Sequence, residues 1–190
     1  MELAYLRKAT ELQHRKVEKD LDLLRSSFTL DDYLEILQRF YGFYKSWEPV
    51  VTVQLEPELP GFFAPRKKLD TIEMDLTYFG SGTEDLSRLP TCQSLPALEG
   101  VGSALGSVYV LEGSTLGGSV LARHFAAHLA IRPEAGCRYF YGYGERTGQM
   151  WSSFGALLKG RPAAEDSDML AAAVSTFALL GDWLGAKRND

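Results

Sequence analysis

The sequence predicts an all-α fold forming one domain over residues 1–190. Apolar residues recur at steps of three and four through several long stretches, the period of a helix with one buried face. No stretch sustains the alternation expected of a half-buried strand. Prolines and glycines gather between the periodic stretches and punctuate the chain. With 190 residues, 45% of them hydrophobic and 24% charged, there is material for one substantial core.

The first helix is expected over 2–25, with Leu3, Leu6, Thr10, His14, Val17, Leu21 and Leu24 along one stripe. Thr29 or Asp31 caps a second helix, whose apolar face holds Tyr33, Ile36, Leu37, Phe40, Tyr41 and Tyr44. It continues past Trp47 and Pro49. The segment LEPELPGFFAPRKK carries three prolines and reads as a connection ending in a solvated basic run, PRKK at 65–68. A third helix spans 67–79 through Leu69, Ile72, Leu76 and Phe79. GSGT (80–83) and LSRLPTCQSLPALEG (86–100) are loop-like. A long glycine-bearing helix follows over about 97–130, closed by Arg132-Pro133. RYFYGYGERTG (138–148) reads as a short strand or a loop, and helices at 147–159 and 166–186 complete the chain.

Charge and composition exclude several classes of function. A net charge of −5 with no extended basic cluster gives no nucleic-acid footprint. No apolar segment approaches the ~18 residues of a membrane span, since Glu112 and Arg123 interrupt the best candidate. The N-terminus carries charges where a signal peptide needs an apolar core, so a cytoplasmic location is expected. Cys92 and Cys137 stand far apart in sequence, without CxxC or CxxCH, and read as free thiols.

The stretch LEGSTLGGS (111–119) sets the functional question. Gly113, Gly117 and Gly118 interrupt a helix in which each costs roughly 0.5–1 kcal/mol relative to alanine. Either the helix breaks there, or a partner comes too close to its backbone to admit a Cβ. GVGSALG (100–106) and GYGERTG (142–148) miss the dinucleotide-binding spacing by one residue, and neither follows a clear strand. LEGSTLGGS lacks the lysine of a phosphate-binding loop and does not centre a serine as GxSxG does. Gly113 and Gly117, four apart, share a face that serves either a closely packed helix or a flat ligand.

The chain has three histidines. His14 lies in the apolar stripe of the first helix, where it is either a satisfied core residue or a ligand. Glu18, four residues on, is placed to take the proton of its second ring nitrogen. His124 and His128 form an HxxxH pair with no third metal ligand evident nearby. His124 follows Gly117 by seven residues, about 10 Å along the same face.

LRKATELQH with Glu18 near the N-terminus and YVLEGSTLGGSVL past the middle together closely resemble the haem oxygenase family. The match is nearest to its bacterial, biliverdin-producing members, including those encoded beside bacteriophytochromes. It extends through TGQMWSSF (147–154) into the last helix. The resemblance implies a haem held between a proximal helix and a kinked distal helix. His14 matches the axial iron ligand and Glu18 the acid beside it. Arg7 falls where the family often sets a basic residue toward a propionate. Gly113 and Gly117 match the distal glycines nearest the iron, Gly118 follows in the same motif, and Phe177 matches an aromatic haem contact.

Haem is then both substrate and cofactor. The implied reaction opens the ring at a meso carbon and yields biliverdin, carbon monoxide and ferrous iron, with backbone at Gly113 and Gly117 crowding bound oxygen toward the ring edge. O2 and an external electron donor are required, whether a ferredoxin, a flavoprotein reductase or ascorbate, because no flavin, nicotinamide or iron–sulfur motif is evident. A bacteriophytochrome is a candidate acceptor of the product, and a monomer is the default state. Two positions depart from the family. Ser114 replaces the aspartate that many members place after the first distal glycine, which leaves the proton route open. QMWSSFGALL carries no basic propionate anchor before Lys159, a role that Arg7, Arg123 or His124 could fill. The competing readings are a non-catalytic haem-binding or haem-trafficking protein, and a haem-free member of the fold.

Overall fold

The computed structural model describes residues 1–186. Residues 187–190 of the expected domain lie outside that range. Helices α1 (Leu3–Ala9) and α2 (Glu11–Leu21) lead into the long α3 (Leu30–Leu55), α4 (Leu69–Tyr78) and the short α5 (Thr83–Arg88). The central α6 (Val101–Leu129) is followed by α7 (Arg138–Tyr141), α8 (Thr147–Lys159) and α9 (Asp166–Gly185). Among the described residues there is no strand, only isolated bridges from Arg132 to Ala135 and Gly136. The fold is all-α, as the periodicity predicts.

The core forms where α3 and α9 flank α6. Every residue of α6 from Val101 to Glu112 is buried. Its most extensive packing is on α9, and two glycines set the approach. A Cβ at Gly102 would lie 2.9 Å from Glu165 Cβ, and one at Gly106 would overlap the Met169 backbone. The layers are also joined by polar bonds. Trp47 Nε1 of α3 donates to Ser107 Oγ of α6 at 2.8 Å, and Thr176 Oγ1 of α9 lies 2.8 Å from the same oxygen. Both cysteines are free and buried, as expected.

Thr29 caps α3 through a reciprocal capping box with Asp32, and the helix runs through Pro49. Other local expectations are corrected. The first helix is interrupted at Thr10, whose hydroxyl takes the Leu6 carbonyl at 2.7 Å, a back-bond that bends helices. It also ends at Leu21, where Asp22 turns left-handed at φ 39°. The stripe predicted as core is core only at its start: Leu6 and Thr10 are buried, whereas α2 contains no buried residue and packs chiefly on α9. Residues 83–88 form a helix rather than a loop, and α6 starts at Val101 because Gly100 holds φ at 101°. The segment 138–148 is neither strand nor loop at its start. It opens as α7, whose first amides, Arg138 N and Tyr139 N, donate to the buried Asp75 carboxylate at 2.9 and 2.8 Å.

Candidate functional site

The α6 backbone stays helical through Gly113, Gly117 and Gly118, so the helix does not break there. The glycines divide by what faces them. Gly118 is buried, and a Cβ on it would overlap the Phe140 carbonyl of α7, which makes it a packing glycine. Gly117 is exposed and would meet nothing within 4 Å. At Gly113 a Cβ would find only the Trp151 ring at 3.5 Å, ordinary van der Waals contact. Close helix packing therefore explains Gly102, Gly106 and Gly118, and does not explain Gly113 and Gly117.

The first turns of the N-terminal helices set the site against α6. Thr10 Oγ1 lies 3.5 Å from the Tyr109 hydroxyl. One turn beyond that contact on each helix come His14 and Gly113, and residues four apart share a face. His14 thus shares a helical face with Thr10, and Gly113, which only the Trp151 ring meets, shares one with Tyr109. Arg7 lies near enough that its charge draws the Tyr109 hydroxyl down, against burial, which pushes it up more strongly. Trp151 of α8 extends the wall, 5.9 Å from the Tyr109 ring.

The His14 side chain is half exposed, 51%. Its ring meets Phe177 of α9 edge-on at 5.7 Å, and Nδ1 lies 3.6 Å from Glu18 Oε2. That distance exceeds a hydrogen bond. With Nδ1 turned to Glu18, Nε2 is the nitrogen left to ligate a metal. Beside the glycines, Leu116 and Val120 expose 43% and 46% of their surface. An apolar strip left open along a side-chain-free stretch of helix is suited to a flat apolar ligand.

Ser114 is exposed, and its hydroxyl donates to the Leu111 carbonyl at 2.7 Å, so it is engaged with its own helix. Arg123 is exposed. The half-buried His124 ring lies 4.1 Å from that of His128, and no group of three or more metal-ligating residues is found among the described residues. The structure sets His14 against Phe177 and near Glu18, and Arg7 near Tyr109, while Gly113 faces Trp151 and Gly117 is open. It turns Gly118 toward α7 and leaves His124 paired along its own helix.

Sequence reasoning passed over three residues of this neighbourhood. Thr10, Tyr109 and Trp151 read as ordinary helix positions, although Thr10 and Tyr109 each precede a singled-out residue by one turn. It also misread the basic run. Arg66 and Lys68 are buried, not solvated, and the cation of each lies over an aromatic ring. The Lys68 ammonium sits 3.3 Å from the Tyr143 ring centroid, and the Arg66 guanidinium lies 4.3 Å from that of Phe62. Glu48 accepts from Lys68 N at 2.5 Å and Leu69 N at 3.0 Å, capping α4.

Burial lowers the Lys68 ammonium to about 8, with Glu112 and Glu48 opposing the shift. An unfolded lysine titrates near 10.4. Between those values the unfolded chain binds more protons, so Lys68 makes stability rise with pH above about 8 and contributes no slope below it. Urea unfolding from pH 8 to 9.5 is expected to show this rise, up to about 1 kcal/mol per pH unit, in the parent and not in Lys68→Met. Parallel curves for the two proteins would refute the assignment.

The fold and site define an all-α protein whose N-terminal helices meet the central helix at Thr10 and Tyr109, and whose central helix carries glycines that no packing fills. A family model described as "Heme oxygenase" matches residues 2–186. The chain belongs to the haem oxygenase family. It is similar in structure to a haem oxygenase from Neisseria meningitidis, solved with NO and CO bound, at a TM-score of 0.77 and 20% identity, covering 99% of this chain and 94% of that one. It is similar also to a haem oxygenase from Leptospira interrogans, at 0.78 and 17% identity, covering 97% and 99%. At these identities the likeness is one of fold. No curated protein matches the chain. Among the described residues, no helix is long and apolar enough to cross a membrane.

Proposed function

We propose that this protein is a haem-degrading oxygenase that opens the ring at a meso carbon, releasing biliverdin, carbon monoxide and ferrous iron. The observation that carries the reading is that Gly113 and Gly117, which follow Tyr109 by one and two turns, are not filled by packing, while His14 follows Tyr109's partner Thr10 by one turn. His14 Nε2 would hold the iron, with Glu18 biasing the proton toward Nδ1. The exposed strip of Leu116 and Val120 would lie against the macrocycle, and Arg7 would meet a propionate. Bound haem supplies the redox chemistry of oxygen activation and is itself the substrate.

The chain's own part is to position and to exclude. Backbone at Gly113 and Gly117 would admit a small ligand close to the helix, where a side chain would stand in its way. Ser114, bonded to the Leu111 carbonyl, offers its oxygen as an acceptor to a water in the crevice and carries no acid that would force O–O cleavage. Electrons come from a ferredoxin, a flavoprotein reductase or ascorbate. A bacteriophytochrome is the acceptor we favour for biliverdin, and a cytoplasmic monomer is the working state.

The test is the absorption spectrum of the purified protein with one equivalent of hemin, followed on adding ascorbate in air. A nitrogen-ligated Soret band that decays as a biliverdin band grows is the expected result. A band that forms and only shifts on reduction would replace the oxygenase with a haem carrier. No specific band would leave only the fold.

A further inference from the structure

Arg66 and Glu112 form a buried pair that does not close. Their side chains are 6% and 3% exposed, and Arg66 Nε lies 3.5 Å from Glu112 Oε1. A charge-assisted bond of this kind spans about 2.7–2.9 Å. Both atoms are buried without a hydrogen-bond partner among the described residues. Another polar atom of each residue is bonded. Arg66 Nη2 donates to Met150 O at 3.2 Å and Ser153 Oγ at 2.9 Å, and the Tyr143 hydroxyl donates to Glu112 Oε2 at 2.7 Å. The open pair borders a cavity of about 10 Å³, whose walls include Trp47, Phe63 and Val108. That is the space of a single water, with a buried donor and a buried acceptor at its edge.

We infer that this cavity is a one-water site, the water accepting from Arg66 Nε and donating to Glu112 Oε1, and that Arg66, the water and Tyr143 are positioning partners of the α6 segment carrying Gly113. Glu112 is the last residue of the fully buried run of α6. Beyond it Ser114, Leu116 and Gly117 are exposed, so packing holds the next turn only on the side of the buried Thr115 and Gly118. A carboxylate held on one oxygen by Tyr143 and on the other through water fixes the rotation of the helix at that point. Gly113, the next residue, then presents a defined face. The importance of that face rests on the proposed function, whereas the water and the restraint belong to the haem-free chain.

The test is amide hydrogen exchange on the haem-free protein, with two conservative variants that each remove one hold on Glu112. Val108→Ile puts a methyl group into the cavity, and Tyr143→Phe removes the hydroxyl donor. Each is expected to speed exchange at residues 111–117 at least about tenfold, with residues 102–106 unchanged. No change at 111–117, or an equal rise along all of α6, would overturn the positioning role. A high-resolution crystal structure is expected to place a water within hydrogen-bond distance of both atoms, and a direct Arg66–Glu112 bond without water would overturn the site. Hemin titration of the parent is read separately: failure to bind would remove the proposed function and leave the exchange result standing.

Discussion

His14→Ala is expected to lose the nitrogen-ligated haem spectrum and to reduce haem turnover by at least about 100-fold, more than the loss of a ligand's outer-shell partner. The fold should hardly notice. The side chain is 51% exposed, so truncation opens no cavity, and only the edge contact with Phe177 and the long approach to Glu18 are lost. Its effect on unfolding is expected within about 0.5 kcal/mol, as for other exposed positions. Spectrum and stability therefore separate. Added imidazole should restore a nitrogen-ligated band in the variant, because it replaces the missing donor and leaves the crevice intact. Glu18→Gln is the graded case, expected to weaken haem binding by about tenfold through the lost bias on Nδ1. An unchanged spectrum and haem affinity in His14→Ala would end the assignment.

Glycine substitutions along α6 are expected to split by position, with opposite signs on stability. Gly106→Ala places a methyl against the Met169 backbone, which no rotamer change can move. Two long helices would have to separate, at about 3 kcal/mol or more. Gly117→Ala meets nothing within 4 Å and removes a flexible residue from a helix, so the haem-free protein should gain roughly 0.5–1 kcal/mol. The same change puts a Cβ on the face where the ligand is proposed to lie. Gly117→Leu should fold as well as the parent, yet impair oxygen binding or shift the position of ring opening. Denaturant melts of the three variants, with hemin turnover of the Gly117 pair, test this together. Unaltered turnover in Gly117→Leu would remove the close-approach argument, and a neutral Gly106→Ala would remove the packing argument.

Much of the fold was legible because periodicity and caps are local. The α3 stripe from Tyr33 to Tyr44, the Thr29 cap and the continuation through Pro49 follow from neighbours a few residues away. Boundaries set by single φ values were less so: Gly100 starts α6 late and Asp22 ends α2 early. The segment 138–148 reads from sequence as a short strand or a loop. It opens as a helix because Asp75, far away in sequence, accepts its first amides. The basic run at 65–68 looked solvated because Glu112 and Tyr143, which face Arg66 and Lys68, lie far along the chain.

The sequence by itself determined that this chain is a helical domain, that a histidine with a carboxylate one turn on lies near its start, and that glycines are concentrated in one central helix. Those properties depend on spacing along a single helix. Only the tertiary structure decided which glycines pack and which stay open, because a missing side chain has no meaning until the opposing atom is known. It alone also closed Arg66 and Lys68 away from water. Each of these depends on burial and on contacts between distant segments, and helical periodicity carries neither.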